Sequence, residues 1–297
     1  MTITILDGGM GQELLLRSAD QATGLWSAQI LLDDPDLVRT VHADYLAAGA
    51  DVITTNSYIL HRDRLAPFGV EDRFEQLHRL ACRLAVEARD AHGAGLVAGS
   101  LGPNARSYRP DLALPEEQAV EAFAEIARIQ APYVDLLLCE TMSSIEQARG
   151  AAMGALTAGL PVWLAVTVDD DNGTQLRSGQ AIYAVVELCH ALSLDTVLVN
   201  CSTPEAVGMA VGALTGCGLR LGAYANGFTH INDAYLEPGA TVDVLKKRKD
   251  LDPEAYAGFA ADWVSSGVGI VGGCCEVGPA HIAFLVKRFK SSNIDNR

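Results

Sequence analysis

Apolar residues in this chain fall into short, nearly unbroken runs separated by longer amphipathic stretches. The runs are "ITILDGG" (3–9), "DVITTNSY" (51–58), "GLVAGSLGP" (95–103) and "VDLLLCETM" (134–142), followed by "PVWLAVTVD" (161–169), "DTVLVNCS" (195–202), "LRLGAYANG" (219–227) and "GVGIVGGCC" (267–275). Continuity without polar alternation, at seven to nine residues, predicts strands covered on both faces, as in a parallel sheet. Between them the period changes to that of a helix. "DPDLVRTVHADYLAAGA" opens with Asp34 as N-cap and Pro35 in the first turn, and places Leu37, Val41, Tyr45 and Leu46 on one face. "PEEQAVEAFAEIARIQAPY" and "SSIEQARGAAMGALTAG" read the same way, and Gly49, Gly159 and Gly267 stand where helices should stop.

Eight strands alternating with helices predict one (β/α)8 TIM-type barrel spanning 1–297, with a polar C-terminal tail at 290–297. A doubly wound sheet is the alternative, but no helix is opened by a G-x-G-x-x-G or phosphate-loop signature. The longest connection, 227–252, carries no clear helical pattern. It would serve as a lid, as a contact in a homo-oligomer, or as a plain surface insertion.

The formal charge of −15 argues against a nucleic-acid partner, and the basic run "KKRK" (246–249) reads as a solvated face. No apolar run is long enough for a membrane span, and the start has no basic region ahead of an apolar one, so a soluble, cytoplasmic protein is expected. Seven scattered cysteines do not suggest a disulfide framework.

In a barrel, chemistry collects at the C-terminal ends of the strands. Cys201 ends the sixth strand, and Cys274 and Cys275 end the eighth. Neighbouring strand side chains point to opposite faces, so the adjacent pair is unexpected unless Gly272 and Gly273 turn the backbone out of strand geometry. Three thiolates at one mouth suit a soft or borderline cation, with zinc the first choice. An inert buried pair or a vicinal disulfide is the alternative. Cys82 and Cys189 fall in helical patterns and read as core, Cys217 lies in a turn, and Cys139 should face away from the mouth. Asp7 and Glu140 close otherwise apolar strands. A buried lone carboxylate is costly, so each should meet a cation, either an ammonium group of a substrate or an arginine such as Arg106 or Arg177. Ser57 and Asn226 would bind substrate or cap their strands. Asp169, Asp170 and Asp171 read as a solvated loop, and His42 and His281 as helix residues.

The stretches "DGGMGQEL", "LWSAQILLDDPDLVRTVHADYLAAGADVITTNSY", "GSLGP", "CET", "VNCS", "YANG" and "GGCC" resemble the homocysteine S-methyltransferase family over nearly the whole chain. The same stretches resemble the homocysteine-binding barrel of cobalamin-dependent methionine synthase, although the folate and cobalamin domains have no counterpart here. The resemblance implies one zinc ion per chain on Cys201, Cys274 and Cys275. It implies that Asp7 and Glu140 hold the amino group of homocysteine. Zinc would keep the homocysteine sulfur as a thiolate, which takes a methyl group from an activated donor to give methionine. Trp26 matches one aromatic residue of the betaine-using members, while Thr141 stands where those members carry a tyrosine. The cage for a quaternary ammonium should then be thin, which points to a sulfonium donor, S-methylmethionine or S-adenosylmethionine. Alternatives are transfer to another thiol or to a selenol such as selenocysteine, use of betaine, or a zinc- or thiol-binding protein without methyl transfer.

Overall fold

The computed structural model describes residues 2–18, 23–237 and 239–290. In chain order its elements are β1 (Thr4–Ile5), α1 (Met10–Ser18), α2 (Ser27–Asp33), α3 (Pro35–Ala47), β2 (Val52–Thr54), α4 (Arg62–Leu65), α5 (Phe74–His92) and β3 (Leu96–Leu101). There follow α6 (Glu116–Gln130), β4 (Leu136–Met142), α7 (Ile145–Leu156), β5 (Val162–Val166), α8 (Ala184–Ala191), β6 (Thr196–Asn200) and α9 (Pro204–Leu214). The chain finishes with β7 (Arg220–Tyr224), α10 (Asp233–Leu236), α11 (Pro253–Ser265), β8 (Ile270–Val271) and α12 (Pro279–Lys290). All strand pairings are parallel, in the order β1-β8-β7-β6-β5-β4-β3-β2. A parallel bridge between Leu6 and Val52 joins the two ends of that order, so the sheet closes as a (β/α)8 barrel.

Two apolar layers hold it together. Inside the barrel Leu6, Val52, Leu138, Trp163, Leu198 and Ile270 pack on one another, and a larger layer fills the space between sheet and helices. Cys82, Cys139 and Cys189 belong to the outer layer, which explains why Cys139 turns its back on the mouth. The helix starting at Pro35 forms as its sequence demands: Asp34 Oδ1 accepts the Leu37 N–H at 3.2 Å, and Val38, Val41, Tyr45 and Leu46 are buried. Leu37 itself is only partly buried, because the core face is centred one residue later. Gly49, Gly159 and Gly267 all take left-handed φ, as helix-ending glycines do.

The strands are shorter than the apolar runs. β1 stops at Ile5 and β8 at Val271, although the runs continue to Gly9 and Cys275. The remainder leaves the ladder to build the mouth. Of the expected tail, Lys290 closes α12 and the rest lies outside the described residues. The acidic run also differs from expectation. The Asp170 side chain is 1 % exposed, pairs with Arg177 at 3.2 Å, and accepts the N–H groups of Thr203 and Ile231. It ties the β5 end to the 227–252 connection, while Asp171 remains in solvent. No helix among the described residues is long and apolar enough to cross a membrane.

Candidate metal centre and substrate pocket

The Sγ atoms of Cys201, Cys274 and Cys275 lie within 4.8 Å of one another. The backbone brings them together in two ways. Cys201 follows β6 with φ of 51°, a left-handed conformation that aims its side chain across the mouth. Cys274 keeps a ladder-like bond, its N–H donating to Ala225 O at 2.9 Å, and then the chain turns. Val277 N–H bonds back to Cys274 O and Gly227 N–H to Cys275 O. That turn is why two adjacent thiols face one point. It needs Gly9 opposite, where a Cβ would come within 2.9 Å of the Cys275 Cα. Three sulfurs on a tetrahedral ion stand about 3.8 Å apart, so the cluster has the reach and the soft donors to hold a metal. Cys274 donates to Cys201 Sγ at 2.7 Å, and Tyr108 OH lies 3.0 Å from the same sulfur. Hydrogen bonds from the two other thiols, against burial, hold Cys201 well below the ordinary thiol range.

Asp7 and Glu140 open onto the same cavity, which encloses about 860 Å³, part of it open to solvent. Asp7 leaves β1 and is fixed by β2: its Oδ2 accepts Thr54 N–H at 2.7 Å, and Thr54 Oγ1 donates to it at 3.0 Å. Glu140 accepts from Ser100 Oγ and from Tyr224 OH, the latter at 3.1 Å. A register shift in β4 between Cys139 and Met142, with Thr141 at φ 64°, aims it inward. Asn200 pins that irregularity by accepting Thr141 N–H at 3.0 Å and donating to Thr141 Oγ1 at 2.8 Å. Burial pushes Asp7 up to about 8, opposed by the Thr54 hydrogen bonds and reinforced by Glu140. Burial likewise pushes Glu140 up to about 7, and the Cys201 charge adds to it. Neither carboxylate has a cationic partner among the described residues. Arg177 is taken by Asp170, and Arg106 by the carbonyls of Tyr235, Glu237 and Ala240. The arginine alternative therefore does not hold, and the pair is left poised for an incoming cation.

Trp26 lines the cavity, held by Gln12 Oε1 at 3.2 Å and set edge-on to Tyr58. The expected thinness of the cage is not found. Tyr58, Tyr108, Tyr224, Phe228 and Tyr235 join Trp26 in the lining, brought by loops and strands far apart in sequence. The 227–252 connection is a cover and not a bare insertion: Phe228, Ile231 and Leu245 pack with Tyr108 and Cys201 over the mouth. Ser57 and Asn226 lie behind the wall. Ser57 Oγ donates to Ser100 O at 2.8 Å, and Asn226 Oδ1 accepts Phe228 N–H at 3.1 Å, so both brace backbone. Sequence reasoning missed Thr54, Ser100, Tyr108, Asn200 and Tyr224. Of these, Thr54, Ser100, Asn200 and Tyr224 lie in recognised motif stretches, and their polar tips at strand ends were the available signal.

Residues 4–289 match the family model described as Homocysteine S-methyltransferase. The homocysteine S-methyltransferase of Escherichia coli is 31% identical, covering 96% of this chain and 95% of the relative. The selenocysteine Se-methyltransferase of Brassica oleracea is 27% identical, covering 97% and 89%. A solved structure of the homocysteine methyltransferase MmuM from Escherichia coli, in a metallated form, superposes with a TM-score of 0.80 at 28% identity, over 97% of this chain and 96% of that one. With a barrel whose mouth joins three thiols to two unpaired carboxylates, and a family match running almost end to end, this chain belongs to the homocysteine S-methyltransferase family.

Proposed function

We propose that the protein transfers a methyl group from a sulfonium donor to the sulfur of L-homocysteine, giving methionine, with one zinc ion held by Cys201, Cys274 and Cys275. The observation that carries this reading is the meeting, in one covered cavity, of a three-thiol cluster and two carboxylates with no cationic partner among the described residues. Three thiolates with no fourth His, Cys, Asp or Glu in the cluster among the described residues suit a zinc site that keeps a position for a substrate. When bound, zinc lowers the pKa of a thiol it meets, so that the thiolate is present at neutral pH.

The chain's own residues do the rest. Asp7 and Glu140 receive the homocysteine ammonium, whose charge offsets the burial that otherwise favours the protonated carboxyls. Thr54, Ser100 and Tyr224 fix the carboxylate directions, so the amino acid is bound in one orientation. Tyr108 donates to the Cys201 sulfur and moderates its charge. The aromatic walls attract the cationic donor and, with the 227–252 cover, exclude water. The homocysteine sulfur forms a bond to the methyl carbon as the bond to the donor sulfur breaks, and the electron pair stays on the leaving sulfur. A thiolate and a sulfonium become two neutral thioethers, and a dry pocket favours such loss of charge.

The ring lining would serve a sulfonium or a quaternary ammonium, so the donor preference rests on leaving-group chemistry: a thioether leaves a sulfonium more readily than an amine leaves a quaternary ammonium. The test is conversion of homocysteine labelled with carbon-13 in its chain to labelled methionine by S-methylmethionine, read by mass spectrometry with and without a chelator; the chain label separates this product from the spent donor, which is itself methionine. Labelled methionine that disappears with the metal supports the reading; no labelled methionine overturns it.

A further inference from the structure

The cavity has a third charged feature. Among its lining residues Arg64, on α4, is the one basic side chain, set against Asp7 and Glu140. Its neighbours on α4 are partnered: Arg62 pairs with Glu125 at 2.7 Å, and Asp63 accepts the Ala105 N–H. The Arg64 guanidinium makes no hydrogen bond or ion pair among the described residues, and its Nη1 is buried without a partner. Its charged carbon stands 6.0 Å from the centre of the Tyr58 ring. An unpaired guanidinium at a pocket wall is costly unless an anion completes it, and its planar fork matches a carboxylate.

Arg64 meets other residues of the lining than the acidic pair does. Asp7 and Glu140 are fixed at strand ends by Thr54, Ser100 and Tyr224. Arg64 faces Tyr58 and shares the cavity lining with Tyr235 of the 227–252 cover. An acceptor with its sulfur at the cysteines and its ammonium at the acidic pair is held by those five residues. The donor takes the remaining aromatic lining, and an amino-acid sulfonium brings a carboxylate to it. We propose that Arg64 is the specificity-determining residue that binds the carboxylate of the amino-acid methyl donor. This rests on the function proposed above.

The experiment compares S-methylmethionine with its decarboxylated analogue, which keeps the sulfonium and the amino group. In the unaltered zinc-loaded protein the carboxylate should lower KM about tenfold or more. Arg64→Met should bring the two KM values within about twofold of each other, leave the KM for homocysteine unchanged, and be partly rescued by Arg64→Lys. Equal KM values for both donors in the unaltered protein would overturn the assignment. So would an Arg64→Met effect on the homocysteine KM with the donor ratio kept, which would move the contact to the acceptor. Calorimetric binding of the same two compounds to the unaltered protein reads the carboxylate contact without turnover or any variant. Failure of methyl transfer alone would therefore strike the function and leave Arg64 separately judged.

Discussion

Glu140→Gln should make the free protein more stable and homocysteine binding weaker. Glutamine keeps an oxygen for Ser100 Oγ and offers an N–H₂ to the Tyr224 hydroxyl, so the contacts around Glu140 survive. What goes is the burial of a charge. Glu140 rises from 4.5 to about 7 in the fold. The folded chain therefore holds a proton that the unfolded chain releases between those pH values, and stability falls as pH rises through that window. Against a neutral glutamine the deficit is about 2 kcal/mol at pH 6 and about 3 kcal/mol at pH 8.5, levelling off above 7. The variant should melt about 5 °C or more above the unaltered protein at pH 8.5, with a smaller gap at pH 6. Homocysteine reverses the order, because a lost charge-assisted contact costs about 1.5–3 kcal/mol, or about 10- to 150-fold in Kd. Scanning calorimetry at both pH values with matched metal content, and titration calorimetry with homocysteine, read the two halves. A variant less stable than the parent at pH 8.5, or one that binds homocysteine equally well, would show that Glu140 is not held in reserve for an ammonium.

Two further expectations concern the metal and the donor. Alanine at Cys201, Cys274 or Cys275 should each abolish stoichiometric zinc and turnover together, while far-ultraviolet circular dichroism stays that of the parent, because the barrel has two apolar layers of its own; full activity in any metal-free variant would remove the cluster from the mechanism. Turnover at equal donor concentration should rank S-methylmethionine first, S-adenosylmethionine second and betaine last; faster methionine formation from betaine would reverse the donor choice without touching the thiol cluster.

The barrel and the meeting of its strand-end thiols and carboxylates were legible because each depends on residues whose types conflict with their surroundings. Asp7, Glu140 and the adjacent cysteines end apolar runs where nothing polar belongs, and a barrel brings all strand ends to one rim. Residues whose role depends on meeting a distant segment were not legible. Tyr108 reaches Cys201 from 93 residues away and Tyr224 reaches Glu140 from 84. Ser57 and Asn226 looked like Glu140 in being polar strand-end residues, yet neither lines the cavity, and Ser57 Oγ and Asn226 Oδ1 brace backbone instead. Asp170 sat in an acidic triplet that resembled a solvated loop, and burial with Arg177 is visible only in the fold. The aromatic lining was underestimated for the same reason. Thr141 removes one ring locally, while loops from β2, β3 and β7 supply others.

X-ray absorption at the zinc edge, on protein loaded with one equivalent of zinc, probes the thiol site most directly. Three protein sulfurs should be seen in the free protein and a fourth sulfur on adding homocysteine. Use of selenohomocysteine should place one selenium in that shell. An unchanged sulfur count and no selenium neighbour would contradict activation of the acceptor at Cys201, Cys274 and Cys275.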